Sequence, residues 1–238
     1  MSTISKSFLL VLMLLGSTGA WAFNFSPIEA TFRPSGVGST HTFTVENPGT
    51  RTIAVELTLF AREMNLDGSD RLEPADGLFE IYPAQMIIEP GSRQAVRVQW
   101  TGPADIESER PFRLIAEQLA IDLGDSDSEG GALNLLVRYV AALYVQPANV
   151  AARIELQLLE LDSKLVIEAA NRGQAHAIVS AGDFELFDDQ GPIEWTDAQR
   201  EALGSSNILA GATRQIVIPD SATLMDRSLG IRWTRTSD

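Results

Sequence analysis

The chain contains no cysteine, so neither a disulfide framework nor a thiolate metal site is open to it. It has only two histidines, His41 and His176. Each lies beside a predicted strand with no serine or aspartate motif around it, and both read as surface residues near turns. The GxSxG, HExxH and phosphate-loop patterns are all missing, which leaves an enzymatic reading without a catalytic set. Basic residues are scarce, 18 Lys and Arg against 32 Asp and Glu, for a formal net charge of −14. Nucleic acid demands a basic footprint and is excluded as a partner on that balance. A solvated acidic surface that keeps the protein soluble is the simpler meaning. No metal or other cofactor is expected. The segment Asn65-Leu66-Asp67-Gly68-Ser69-Asp70 faintly resembles a calcium loop but lacks the glycine at its sixth position and the glutamate at its twelfth. It reads as a hairpin turn.

Long hydrophobic runs are also lacking. The only sustained one, residues 8–15, is shorter than the ~20 residues a spanning helix needs. It follows Lys6 and precedes Ala20-Trp21-Ala22, which is the charged, apolar and small-x-small order of a secretory signal peptide. Residues 1–22 are therefore expected to be a cleaved leader, with the mature chain starting at Phe23. An uncleaved anchor is the alternative, and the cleavage-site pattern argues against it. Later segments are not apolar enough for stable membrane insertion. Loss of Lys6 with the leader makes the mature chain one unit more negative.

What is present is strand pattern nearly throughout. Residues 42–45, 52–60, 94–100, 112–119 and 133–145 alternate or are continuously apolar, with Asn47-Pro48-Gly49, Asp67-Gly68, Asp76-Gly77 and Glu89-Pro90-Gly91 as turns. Val96, Val98 and Trp100 share one face by the period of two. Residues 122–131 form an acidic polar loop. After Pro147 a second set follows: 153–161, 164–170, 184–187, 214–218 and 230–233, with an Asp162-Ser163 turn and a short helical stretch at 197–203. The wording FTVENPGT in the first half is echoed by VIEAANRGQ in the second, each placing a strand before Asn-x-Gly. The pattern predicts an all-β chain of two immunoglobulin-like sandwiches, residues 23–147 and 148–238, joined near 147–151.

Residues 81–119 read IYPAQMIIEPGSRQAVRVQW, two alternating apolar strands on either side of the Glu89-Pro90-Gly91 turn, then a short gap and RPFRLIAEQL. This wording resembles the N-terminal domain of the PapD-like periplasmic pilus chaperones, and the RLI and VRY wordings resemble the archaic branch of the chaperone–usher pathway. The resemblance implies two sandwiches at an angle with a cleft between them. It implies a periplasmic protein that stabilises pilus subunits by lending them a β-strand and delivers them to an outer-membrane usher. Matching the LYVQP ending to the family places Leu133, Leu135 and Val137 at the donor positions, on the face turned away from the chaperone's own core. A strand apolar on both faces also fits a buried central strand, and the residues alone leave both readings open.

The family grips the subunit's C-terminal carboxylate with two basic residues in the cleft. Here the first-strand position, usually Arg, aligns with Glu29, and the strand-end position, usually Lys, with Ala142. Arg113 and Arg138 are the remaining isolated basic residues in apolar strands, and they are the proposed replacements. The structural alternative pairs Arg113 with Glu117. Arg97 belongs to the generic sandwich signature and reads as structural. The functional alternative to a chaperone is an immunoglobulin-like adhesion or pilus-associated module.

Overall fold

The structure is a computed structural model that describes residues 23–120 and 136–233. The expected leader, the acidic loop and the positions Leu133 and Leu135 lie outside the described residues. Ten strands make the first sandwich: β1 (Asn24–Ser26), β2 (Glu29–Phe32), β3 (Thr40–Glu46), β4 (Ile53–Met64), β5 (Asp70–Pro74), β6 (Phe79–Tyr82), β7 (Gln85–Ile88), β8 (Arg93–Trp100), β9 (Arg110–Gln118) and β10 (Arg138–Val145). One sheet runs β1-β3-β8-β6, and the facing sheet runs β2-β10-β9-β4-β5 with β7 also paired to β4. Alternation explains the layering. Phe43, Val45, Val96 and Val98 point inward from the first sheet, and Phe32, Phe112, Leu114 and Leu143 from the second, all buried. Each such side chain contributes about 1.5–3 kcal/mol by leaving water.

The chain changes sheet twice at a cis X-Pro bond. β1 passes to β2 across Ser26–Pro27, and β6 passes to β7 across Tyr82–Pro83. The single strand expected over IYPAQMII is thus two, in opposite sheets.

The second sandwich contains β11 (Ile154–Leu161), β12 (Lys164–Asn171), β13 (Ala177–Ser180), β14 (Phe184–Asp188), β15 (Gly191–Ile193), β16 (Ser205–Ile208), β17 (Thr213–Val217) and β18 (Gly230–Trp233). These form the sheets β11-β12-β17, β13-β16 and β15-β14-β18. The helix α1 (Asp197–Leu203) starts on a Thr196 cap that accepts from Gln199 N, with the Gln199 side chain reaching back to the cap. That reciprocal pairing satisfies two otherwise orphaned donors. Leu165, Ile167, Leu186, Leu203 and Ile208 centre this second core. Asp162 and Ser163 both take positive φ in the turn between β11 and β12.

The two halves repeat one device. Asn47 is buried after β3, donates to the carbonyls of Arg51 and Ile88, and accepts from Gly49 N. Asn171 ends β12, donates to the carbonyls of Ala175 and Ile208, and accepts from Gly173 N. The sequence echo is therefore a shared piece of architecture: a buried amide that ties a strand end, a tight turn and a neighbouring strand together.

Candidate site at the β10 edge and the domain junction

β10 has a strand on each side for only half its length. β9 pairs with all of it, from Arg138 opposite Glu117 to Val145 opposite Arg110. β2 pairs in parallel with Ala142–Val145 alone, beginning at Glu29. Hydrogen-bond parity shows what this leaves free. Gln118 N donates to Val137 O, while Ala142 N donates to Ile28 O on the other side. Alternate residues of an antiparallel pair direct both backbone groups to the same neighbour. Arg138 and Val140 therefore turn theirs away from β9, toward an edge where, among the described residues, no strand pairs with them. Exposed Leu136, Val140 and Ile28 lie along this stretch. An unpaired edge with apolar side chains is a template for another chain.

Val137 is half-buried against the first core, on the side of Tyr139, Ala141 and Leu143. The expected face was the opposite one, which Leu136 and Val140 occupy. The period of two decides this, because Val137 continues the inward row of β10 toward the end of the sandwich.

The anchor positions fall at the other end of β10. Glu29 and Ala142, aligned from sequence with the family's two basic residues, are direct partners across the β2–β10 ladder. Arg113 is the next residue along that row, opposite Ala142 on its other side. Its Nε donates to Asp70 Oδ2 at 2.7 Å, not to Glu117. Arg62 Nε donates to the other oxygen of the same carboxylate at 2.6 Å. Arg62 escaped the sequence reading. The signal was a lone arginine in LTLFAREM, but its place depends on where the β4–β9 ladder stops. That ladder ends at Ala61 opposite Phe112, one step before Pro111, which has no N–H to offer Arg62.

Arg138 is exposed, four places up β10 from Ala142, or roughly 13 Å at strand rise. The structure does not bring Arg113 and Arg138 together; it brings Arg113 to Arg62. Arg97 lies on the surface near Glu80, 3.4 Å away. The segment at 65–69 is the hairpin turn between β4 and β5, with Asn65 N donating to Ser69 O.

Burial works to raise the Asp70 pKa, but hydrogen bonds from Arg113 and Arg62 outweigh it and the net shift is downward. Next to the pair, Tyr144 is buried, and that burial pushes its hydroxyl pKa up. Its oxygen accepts from Asn207 Nδ2 of the second sandwich at 2.5 Å. Ala142, Tyr144 and Leu209 form a small apolar cluster spanning both sandwiches, with Met64 and Ala212 packed on it. His176 is not a surface residue: its ring stacks on Tyr144 and its Nδ1 lies 2.8 Å from Glu109 Oε1. The buried Glu109 carboxylate also accepts from His176 N and from Gln146 Nε2.

This is the two-domain all-β fold of the pilus chaperones, with two immunoglobulin-like sandwiches at an angle and a cleft between them. It is shared with the chaperone CsuC, solved with the tip adhesion subunit CsuE from the archaic chaperone–usher Csu pili of Acinetobacter baumannii. That likeness has 17% identity, covers 83% of this chain and 90% of the other, and has a TM-score of 0.57. The class 5 fimbriae chaperone CfaA matches at 15% identity over 91% of this chain and 93% of its own, with a TM-score of 0.59. The Salmonella enterica SafB chaperone, solved with the SafA pilin, matches at 18% identity over 86% and 87%, with a TM-score of 0.54. No protein-family model and no curated relative matches the chain. No helix among the described residues is long and apolar enough to cross a membrane.

Proposed function

We propose that this protein is a periplasmic chaperone of pilus subunits, exported by its leader and acting without catalysis. Residues 23–147 form the strand-lending domain and 148–238 the second. The observation that carries this reading is the half-paired β10, whose free backbone groups and apolar side chains stop where β2 begins. A pilus subunit lacking its final strand adds its own edge there, so that backbone bonds give affinity and alternate side chains fill its groove. Leu133, Leu135 and Val137 are the donor residues. Val137 lies on the inward row, where it extends the chaperone's interior toward the subunit's. The subunit's C-terminal carboxylate is gripped at the other end of β10 by Arg113 with Arg62, while exposed Arg138 lies with the donor edge. An outer-membrane usher then takes over the loaded subunit.

Co-expression of the mature chain with candidate pilus subunits tests this. A one-to-one complex is expected, and its yield per folded molecule should fall sharply for Arg113→Ala and for Leu135→Asp. Truncating one partner of a buried charge pair costs ~2–5 kcal/mol. Failure of every subunit to co-purify would remove the chaperone reading. An unchanged yield for Arg113→Ala would remove the anchor.

A further inference from the structure

The arginine pair beside Tyr144 already holds a carboxylate. Arg62 and Arg113 each commit Nε to one oxygen of Asp70, so two cations share one anion. The Arg62 side chain is only 5% exposed, and its Nη1 is buried without a hydrogen-bond partner. A buried donor left unpaired carries a desolvation cost, and an arginine buried with an incomplete set of acceptors is expensive to keep. The Tyr144 hydroxyl, which feels the charge of Arg62, is engaged by Asn207. Glu29, in the same sheet row as Arg113, is exposed. The site is one acceptor short, and Asp70 occupies the Nε of each guanidinium, closing the side-on edge to any other carboxylate.

Resting on the anchor reading above, we propose that Asp70 is a resident competitor: it holds Arg62 and Arg113 in the free protein and sets how strongly they take an arriving carboxylate. A guanidinium binds a carboxylate best through two parallel N–H groups. With both Nε atoms committed to Asp70, an arriving carboxylate meets only Nη groups until Asp70 yields. The anchor is thereby kept from gripping stray carboxylates, and a full grip is reserved for a ligand held in place by other contacts. Such a ligand is a strand already paired along β10.

The test titrates acetate, with acetamide as the uncharged control, into isotopically labelled mature protein. It follows the Arg62 and Arg113 Nε–H signals by NMR. Asp70→Asn should bind acetate more tightly than wild type by on the order of tenfold, the scale of a close charge pair, with no response to acetamide. Equal acetate affinity in both proteins overturns the competition and leaves the anchor standing. Absence of any acetate response in either protein overturns the anchor and the competition together. A wild-type measurement serves should the variant not fold. Acetate that shifts the arginine signals should also move the Asp70 carboxyl carbon toward its solvent-exposed value. Arginine shifts without that movement would place acetate beside Asp70 and overturn the proposal.

Discussion

Tyr144 and His176 stack nearly parallel across the domain boundary, with ring centroids 3.9 Å apart. Their contact lies within a junction held on two sides. On one, Glu109 N donates to Gln174 O and the Glu109 carboxylate takes the His176 donors. On the other, the turn after β4 reaches β17, where Gln215 N donates to Leu66 O at 2.6 Å. In the sheet β11-β12-β17, β17 is the end strand, so this contact also blunts an edge.

A junction built this way should tumble as one body. Interdomain contacts that are small and polar normally permit motion, but here an aromatic stack and an apolar cluster sit between two hydrogen-bonded flanks. Backbone ¹⁵N relaxation should give both halves one correlation time. Gly68→Ala should loosen it. Gly68 has φ +84, and a Cβ there would come 2.7 Å from the Arg214 guanidinium carbon. Strain of this kind costs ~1–3 kcal/mol, and Tm moves about 2–4 °C per kcal/mol in a chain of this size. Two correlation times in the wild type would contradict the fixed junction.

Much of the fold was legible because alternation is a local signal. The Asn-x-Gly echo marked Asn47 and Asn171, which share three hydrogen bonds of the same kind, with Arg153 N adding a fourth at Asn171. The stretch over β8 and the helix at 197–203 appear where their patterns put them. What alternation could not show was sheet membership. IYPAQMII alternates as one strand, yet Pro83 divides it between two sheets. The proposed anchor was half legible for the same reason. Arg113 stands out in an apolar strand, but its partners Arg62 and Asp70 come from β4 and the start of β5, distant in sequence. Only the register of β4 against β9, and its end at Pro111, brings them together. His176 looked like a turn residue because nothing local marks the ring of Tyr144 above it.

Asp70 also makes an acid-sensitive contribution to stability. Its folded pKa is lowered, whereas an unfolded aspartate titrates near ~3.9. The group therefore stabilises the fold fully above the unfolded value and loses that contribution as pH falls through the folded one. Asp70→Asn should lower Tm at neutral pH, and the gap between variant and wild type should close on acidification below about pH 4. Asp67, Glu185 and Asp188 are shifted the same way but are common to both proteins, so the difference isolates Asp70. Melting curves that stay parallel down to pH 2–3, about the lower range of a paired carboxylate, would show that the two arginines hold Asp70 no more firmly than water does.

The free edge of β10 makes the sharpest prediction, because two adjacent residues should respond oppositely to the same substitution. Val140 turns its N–H away from β9, while Ala141 donates into the β9 ladder, as the bonds of Val137 and Ala142 on either side require. Proline is tolerated in a strand where the missing N–H would face solvent and costly where it served the ladder. Val140→Pro should therefore leave Tm within a few degrees of wild type, at about 2–4 °C per kcal/mol, yet abolish the subunit complex by removing a backbone donor from the lent strand. Ala141→Pro should do the reverse to the free protein: its residue is fully buried, and losing a ladder bond beside the core should lower Tm by far more. Circular dichroism melts give the first quantity and co-purification with subunit the second. A Val140→Pro protein that melts normally and still carries subunit would mean that the strand is lent by some other edge. One that unfolds would mean that the Val140 N–H already has a partner in the free protein.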